Sequence, residues 1–237
     1  MKPNPSITAA IHQPTFLPWL GFFYKMMKSD VFVLLDNAQY NRRGFVSRVK
    51  IKNDNGEKWL TVPVKKKGLR DQLLNQAQLV MEPPVVWKRK TLGSLQTCYG
   101  KAPYFKNYFP AIEAIIQEDH LLLTDMNQRL ITQLAQDLKI NTKIINASDL
   151  PGITGQASHR LATICHAVNA SKYLSSISGH QHLDTEPFKS LNIELIVNDF
   201  KDPVYPQMFE TFIPGLSAVD LLFNCGPDSA EILRELD

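Results

Sequence analysis

The stretch best suited to chemistry lies near the start of the chain, in "IHQPTFLPWLGFF". His12 and Gln13 end an apolar run of strand length, and Pro14 and Pro18 stiffen the loop that follows. Ligands of open parallel sheets bind outside the carboxyl ends of strands, so both polar side chains are predicted to face a ligand, with His12 as a general base. Gly21 would let the backbone approach that ligand closely. The alternative is a stiff turn whose large apolar side chains fill the core.

A second polar group follows the next apolar run, in "VFVLLDNAQYNRRGFVSRVKIK". Asp36 stands at the predicted carboxyl end of that strand and is a second candidate for the general base. Gln39, Arg43 and Arg48 come shortly after it. Arginine binds phosphate and carboxylate groups bidentately, so these residues predict a site for an anionic substrate. The alternatives are a structural ion-pair network and, for the outer lysines, a solvated basic face.

The third stretch is "NDFKDPVYPQMFETFIPGLSAVDLLFNCG", which follows the last predicted strand. Its three prolines predict a rigid loop on the ligand side of the sheet. Gln207, Asp220 and Asn224 are the polar residues predicted to face the substrate. Asp220 and Asn224 are four residues apart on a predicted helix and therefore share one of its faces.

Histidine and cysteine residues give no metal or nucleophile signal. His180 and His182 form a His-x-His pair, but carboxylates do not cluster around it in the sequence, so no metal site is predicted. Cys98 and Cys165 fall in helical patterns and are expected to be small core residues. The sequence contains no P-loop, G-x-S-x-G or G-x-G-x-x-G motif.

An alternation of strands and helices must position these residues. Strands are predicted at "SITAAIH", "VFVLLD", "TKIINA", "KYLSS" and "IELIVNDF", and helices at "LGFFYKMMKSD", "SHRLATICHAVN" and "DTEPFKSL". "LSAVDLLFNCG" predicts a last helix, with Ser217 as its N-cap and Gly226 just past its end. The pattern indicates an α/β, Rossmann-like, mainly parallel sheet with helices on both faces.

One region departs from this alternation. "VKIKNDNGEKWLTVPV" predicts a β-hairpin around Asn55-Gly56, expected to add antiparallel strands to the main sheet, and the pattern from Pro84 to Leu138 is helical. We therefore expect a single domain over residues 1–237. Its subdivision would be an α/β core of residues 6–36 and 140–237, with a hairpin and helical insertion over residues 37–139.

The composition is that of an ordinary soluble globular protein. The chain has 237 residues, of which 44% are hydrophobic and 21% charged. A net charge of +3 allows an anionic ligand but does not favour nucleic acid. Three widely spaced cysteines are typical of a reducing compartment. With neither a signal peptide nor a membrane span recognisable, the sequence predicts a cytoplasmic location.

The motifs together resemble the WbqC-like family, a bacterial group often encoded with O-antigen and other surface-polysaccharide genes. The matching stretches are "HQPTFLPWLGFF", "SDVFVLLDNAQYNRRGF", "WLTVPV", "KAPYFKNYFP", "YLSS" with "HQHLD", and "DPVYPQMFETFIPGLSAVDLLFNCG", in that order. The positions carried over by the resemblance are Gln13, Pro14, Pro18, Gly21, Asp36, Gln39, Arg43, Arg48, Asp220 and Asn224.

This chain departs from the family pattern at three places. Asn37 stands where members tend to have a second acid, and Ser47 and Val49 flank Arg48 where asparagines are common. The glycine-rich turn after the predicted strand "KYLSS" keeps only Gly179. Bulkier residues hinder a close backbone approach to a ligand at that turn.

The resemblance implies a transferase that builds or decorates polysaccharide sugars, including by glycyl (aminoacyl) transfer. The implied partner is a small anionic molecule, a nucleotide sugar or similar, and the implied donor is nucleotide-linked. A fold-level analogy keeps open an ATP- and Mg²⁺-using nucleotidyl-transferase-like enzyme. The other class is a non-catalytic binding or scaffold protein of a biosynthetic pathway, in which the charged residues are structural pairs.

Overall fold

The computed structural model describes residues 6–41, 44–65, 72–80 and 84–236. Its strands are β1 (Thr8–His12), β2 (Val31–Leu34), β3 (Arg48–Asn53), β4 (Gly56–Thr61), β5 (Lys143–Asn146), β6 (Lys172–Ser176) and β7 (Glu194–Asn198). Its helices are α1 (Leu20–Met27), α2 (Pro84–Tyr99), α3 (Phe105–Gln117), α4 (Leu123–Asp137), α5 (Ala157–Ala167), α6 (Ile177–His180), α7 (Glu186–Ser190), α8 (Ala218–Cys225) and α9 (Ser229–Arg234).

The chain forms two compact units. Unit 1 consists of Met1–Gln13, Tyr24–Asp36 and Asn141–Lys201, and unit 2 of Pro14–Phe23, Asn37–Ile140 and Asp202–Asp237. The proline-rich loop after β1 and the C-terminal segment therefore group with the hairpin and the long helices. The subdivision predicted from the sequence instead assigns both segments to the α/β core, and the single domain over residues 1–237 stays a prediction.

Unit 1 contains a five-stranded parallel sheet in the order β5-β2-β1-β6-β7. All four residues of β2 are buried, as expected for a central strand covered on both faces. Apolar residues from the strands pack with α5 and α7 in one core cluster that includes Ile11, Val33, Cys165 and Phe188. The α/β, Rossmann-like fold predicted from the sequence is confirmed.

The strand order of unit 1 contains a reversal of winding. From β1 the chain steps to β2 and then to β5 on one side, and it continues through β6 to β7 on the other side of β1. The carboxyl ends of β1 and β6 therefore flank a topological switch point, which is where open α/β sheets bind ligands. His12 is the last residue of β1, and Ser176 is the last residue of β6.

Unit 2 contains the predicted hairpin, which differs from the prediction in one respect. β3 and β4 pair antiparallel from Arg48↔Thr61 to Asn53↔Gly56, and Gly56 has a φ of 112° at the end of the two-residue turn. The two strands form a separate sheet of their own. The expectation that they extend the main sheet is wrong, because in the described residues they pair only with each other.

The long helices of unit 2 pack through aromatic side chains. Tyr99 of α2 and Phe105 of α3 contact the ring of Phe223 of α8, with centroids 5.3 and 5.0 Å away. The two ends of α8 match the prediction: the Ser217 hydroxyl accepts a hydrogen bond from the Val219 amide, and Gly226 follows the helix with a φ of 55°. Among the described residues, no helix combines the length and the apolar character that crossing a membrane requires.

Candidate active site

His12 is held as a neutral imidazole at the carboxyl end of β1. Its Nδ1 lies 2.9 Å from the carbonyl oxygen of Gln13. A carbonyl oxygen only accepts hydrogen bonds, so Nδ1 carries the proton and Nε2 is the basic nitrogen. Burial and the nearby charge of Lys25 lower the pKa of His12 to about 4, against a smaller opposing effect of the Gln13 bond. At neutral pH the imidazole is therefore uncharged.

Lys25 of α1 is a buried cation whose charge acts on this histidine, and no motif in the sequence marks it as a site residue. It is 4% exposed, and its Nζ donates a hydrogen bond of 2.9 Å to the carbonyl oxygen of Ile11. Burial lowers the pKa of Lys25 to about 8. The available signal was a lysine inside the otherwise apolar run "GFFYKMM", where helical periodicity alone placed it on the polar face.

The other groups around Lys25 are neutral at pH 7. The Nζ lies 5.7 Å from the centroid of the Tyr173 ring. Burial raises the pKa of the Tyr173 hydroxyl, and it raises the pKa of the Cys165 thiol to about 12. Ser175, which is buried near the end of β6, donates its hydroxyl to the Ser176 carbonyl. The ammonium therefore lies among a phenol, a thiol and an imidazole, and its positive charge favours an anion at this edge of the sheet.

Asp36 follows β2, the strand beside β1, and is 7% exposed. Its Oδ1 accepts a hydrogen bond of 2.9 Å from the Ser148 amide, and its Oδ2 accepts one of 2.5 Å from the Ser148 hydroxyl. Ser148 lies in the short helical turn after β5. The carboxylate thus joins the ends of two neighbouring strands, which is the geometry of a structural cap. A role of Asp36 as the general base stays a prediction.

The structure brings Gln207, Asp220 and Asn224 together inside unit 2. Asp220 is fully buried, and its Oδ2 accepts a hydrogen bond of 2.7 Å from the Tyr99 hydroxyl. The Asn224 amide nitrogen donates to the Asp220 backbone carbonyl at 2.7 Å. The same Asn224 nitrogen lies 3.4 Å from Oδ1 of Asp220. Burial raises the pKa of this carboxyl, although its hydrogen bonds and the charge of Lys52 oppose the rise.

Lys52 of β3, one of the outer lysines for which the sequence left a solvated basic face open, is buried and completes this network. Its side chain is 2% exposed, and its Nζ donates to Gln207 Oε1 and to the Phe209 carbonyl, both at 3.2 Å, and to the Thr211 carbonyl. Its backbone amide donates to the Tyr99 hydroxyl at 2.9 Å. The network fastens the proline-rich loop to the hairpin and to α8. Contact of its members with substrate stays a prediction.

Gln13 is the last residue of the first segment of unit 1, and Gly21, Gln39 and Arg48 lie in unit 2. The face above Gly21 is covered by the indole of Trp19, and Gln39 is exposed and bridged to Leu73. The Arg48 guanidinium stacks 4.5 Å from the centroid of the exposed Trp59 ring. Arg43 lies outside the described residues. Within the described ranges, no three His, Cys, Asp or Glu side chains come close enough to hold a metal ion.

Comparisons with known proteins place the chain in a family. The model of the WbqC-like protein family matches residues 13–232, so the chain belongs to that family. It is 31% identical over 229 residues to the uncharacterised protein Rv1507c of Mycobacterium tuberculosis, a match that covers 95% of this chain and 96% of the relative. No solved structure matches the chain.

Proposed function

We propose that the protein is a transferase of bacterial surface-polysaccharide or nucleotide-sugar modification that binds an anionic substrate at the carboxyl ends of β1 and β6. The observation that carries the proposal is a neutral imidazole, His12, at the switch point of a Rossmann-like sheet. The buried charge of Lys25 beside it favours a phosphate or carboxylate there. The resemblance to the WbqC-like family, to which the chain belongs, implies the same class of substrate.

In the proposed reaction, a hydroxyl or amine of the acceptor attacks the transferred group of a nucleotide-linked donor. As the new bond forms, the acceptor passes its proton to Nε2 of His12. The bond to the nucleotide phosphate breaks, and the nucleotide leaves with that electron pair. A positioned base of this kind contributes about a hundredfold to ten-thousandfold in rate. Glycyl transfer would follow the same course, with an activated glycine as the donor.

The test is release of nucleotide from nucleotide-linked donors (UDP-, GDP-, dTDP- and CMP-sugars) in the presence of sugar and amine acceptors, followed by chromatography. We expect turnover with the wild type and a loss of about a hundredfold or more in His12→Asn. Asparagine keeps a donor at the position of Nδ1 but lacks Nε2. His166→Asn, an exposed histidine of α5, is the matched control and should retain the wild-type rate. Full turnover in His12→Asn would remove His12 from the mechanism.

Asp36→Asn in the same assay separates the two candidate bases. If His12 is the proton acceptor, Asp36→Asn should keep most of the turnover, because the substitution weakens only the hydrogen bonds of the carboxylate to Ser148. If Asp36 is the base, turnover is abolished although the fold remains intact.

A non-catalytic binding or scaffold protein is the second candidate function. It is favoured by the internal pairing of the two acids, Asp36 with Ser148 and Asp220 with Tyr99. Under this proposal, no donor releases nucleotide. An ATP-using nucleotidyl-transferase-like enzyme would instead exchange labelled pyrophosphate into ATP when Mg²⁺ and a carboxylate substrate are present.

A further inference from the structure

We propose that Lys25 is the positioning residue of His12: its hydrogen bond to the Ile11 carbonyl fixes the end of β1 and places a positive charge beside the imidazole. The proposal deepens the proposed function, because a base must be held in a fixed position to take the proton of the acceptor. The test below needs neither substrate nor turnover, so its outcome is independent of the transferase assay.

The geometric part of the proposal lies in one hydrogen bond. Lys25 donates to the carbonyl oxygen of Ile11, the residue directly before His12, at 2.9 Å. The His12 carbonyl itself accepts from the Leu35 amide at 2.8 Å, and His12 Nδ1 bonds to the Gln13 carbonyl. Hydrogen bonds therefore fix three successive carbonyl groups at the end of β1, those of Ile11, His12 and Gln13. The bond to the first of them comes from the lysine side chain.

The electrostatic part follows from the surroundings of the ammonium. Tyr173 of β6, Cys165 of α5 and His12 of β1 are the titratable groups that act on Lys25 or feel its charge. The first two are neutral at pH 7, since burial raises the pKa of both. A positive charge in this poorly hydrated site opposes protonation of the imidazole. Burial of a charged lysine costs free energy. A role of the charge in the proposed site would explain why the lysine is buried there.

The experiment follows the ¹H–¹³C signal of the His12 imidazole by NMR over pH 3.5 to 9.5 in the ligand-free protein, assigned by its loss in His12→Asn. In the wild type we expect one inflection near pH 4, as His12 titrates, and a second near pH 8, as Lys25 loses its charge. In Lys25→Met the second inflection should disappear and the pKa of His12 should rise. It should stay below 6.5, because burial remains the larger cause.

Two variants control for charge and for structure. Lys28→Met removes an exposed lysine directly after the same helix and should leave both inflections unchanged. Lys25→Arg keeps the charge and should keep the low pKa of His12. The proposal is overturned if the wild type shows no inflection near pH 8, a result that requires no variant to fold. It is also overturned if the pKa of His12 is the same in Lys25→Met as in Lys28→Met.

Discussion

His12 and Asp36 were equivalent candidates in the sequence, and the structure separates them by their hydrogen bonds. Both oxygens of Asp36 accept from Ser148, whereas the bond of His12 Nδ1 to the Gln13 carbonyl selects the tautomer with a basic Nε2. Asp36 therefore stabilises the turn after β5, and its role in proton transfer stays a prediction. At the residue scale, these hydrogen bonds favour His12 over Asp36 as the proposed base, and the charge of Lys25 acts on that imidazole.

The lowered pKa of His12 predicts a dependence of stability on pH. In the unfolded chain the histidine binds a proton near pH 6.5, whereas the folded protein resists it down to about pH 4. Between these values the unfolded state holds more protons, so the contribution of His12 to stability falls as the pH falls. From pH 8 to pH 5 the free energy of unfolding of the wild type should drop by about 2 kcal/mol relative to His12→Asn.

Urea unfolding of both proteins at four pH values measures this difference. All other titrating groups are common to the two proteins, so their effects cancel in the comparison. A difference that stays constant from pH 8 to pH 5 would show that His12 titrates alike in the folded and unfolded states.

The Asp220 network predicts that removal of the Tyr99 hydroxyl lowers the free energy of unfolding. Tyr99→Phe removes the donor to Asp220 and the acceptor of the Lys52 amide, and it leaves both groups buried. The expected loss is about 2–4 kcal/mol in the free energy of unfolding. Tyr104→Phe, a half-buried tyrosine just before α3, is the control and should change stability by less than about 0.5 kcal/mol. Equal stability of the two variants would mean that the network contributes little.

At the scale of the elements, local signals predicted most of the fold. Asn55-Gly56 located the hairpin turn, and Ser217 and Gly226 marked the ends of α8. The burial of Lys25 and Lys52 could not be predicted from such local signals. Lys25 and Lys52 are buried because distant segments supply their partners, and helical or strand periodicity carries no information about such partners.

Gly21 provides a test at the same scale. A Cβ at this position would lie 2.4 Å from the Trp19 ring, so Gly21→Ala must displace the indole or shift α1. We expect a loss of about 1–3 kcal/mol in the free energy of unfolding. Gly93→Ala in α2 is the control, since a Cβ there meets nothing within 4 Å, and it should gain up to about 1 kcal/mol. An unchanged stability of Gly21→Ala would show that the contact with Trp19 is not needed for the fold.

At the scale of the whole molecule, the chain combines two units of different design. The strand alternation correctly predicted the parallel sheet of unit 1, and the family pattern extends over almost the whole chain. The sequence did not indicate to which unit the C-terminal segment belongs. Residues 202–237 follow the last strand of the sheet, yet they group with the hairpin through the contacts of Lys52 with the loop after Tyr205. Such long-range contacts depend on tertiary packing.

The most direct test of the account is the NMR signal of His12 during titration with nucleotide-linked sugars and with ATP and Mg²⁺ at pH 7. We predict that at least one of the nucleotide sugars shifts the His12 signal saturably, while the signal of exposed His166 in α5 does not move. That result would place the ligand at the carboxyl end of β1. The account would be contradicted if no nucleotide sugar moved the signal of His12, or if one bound to the protein and left that signal unchanged.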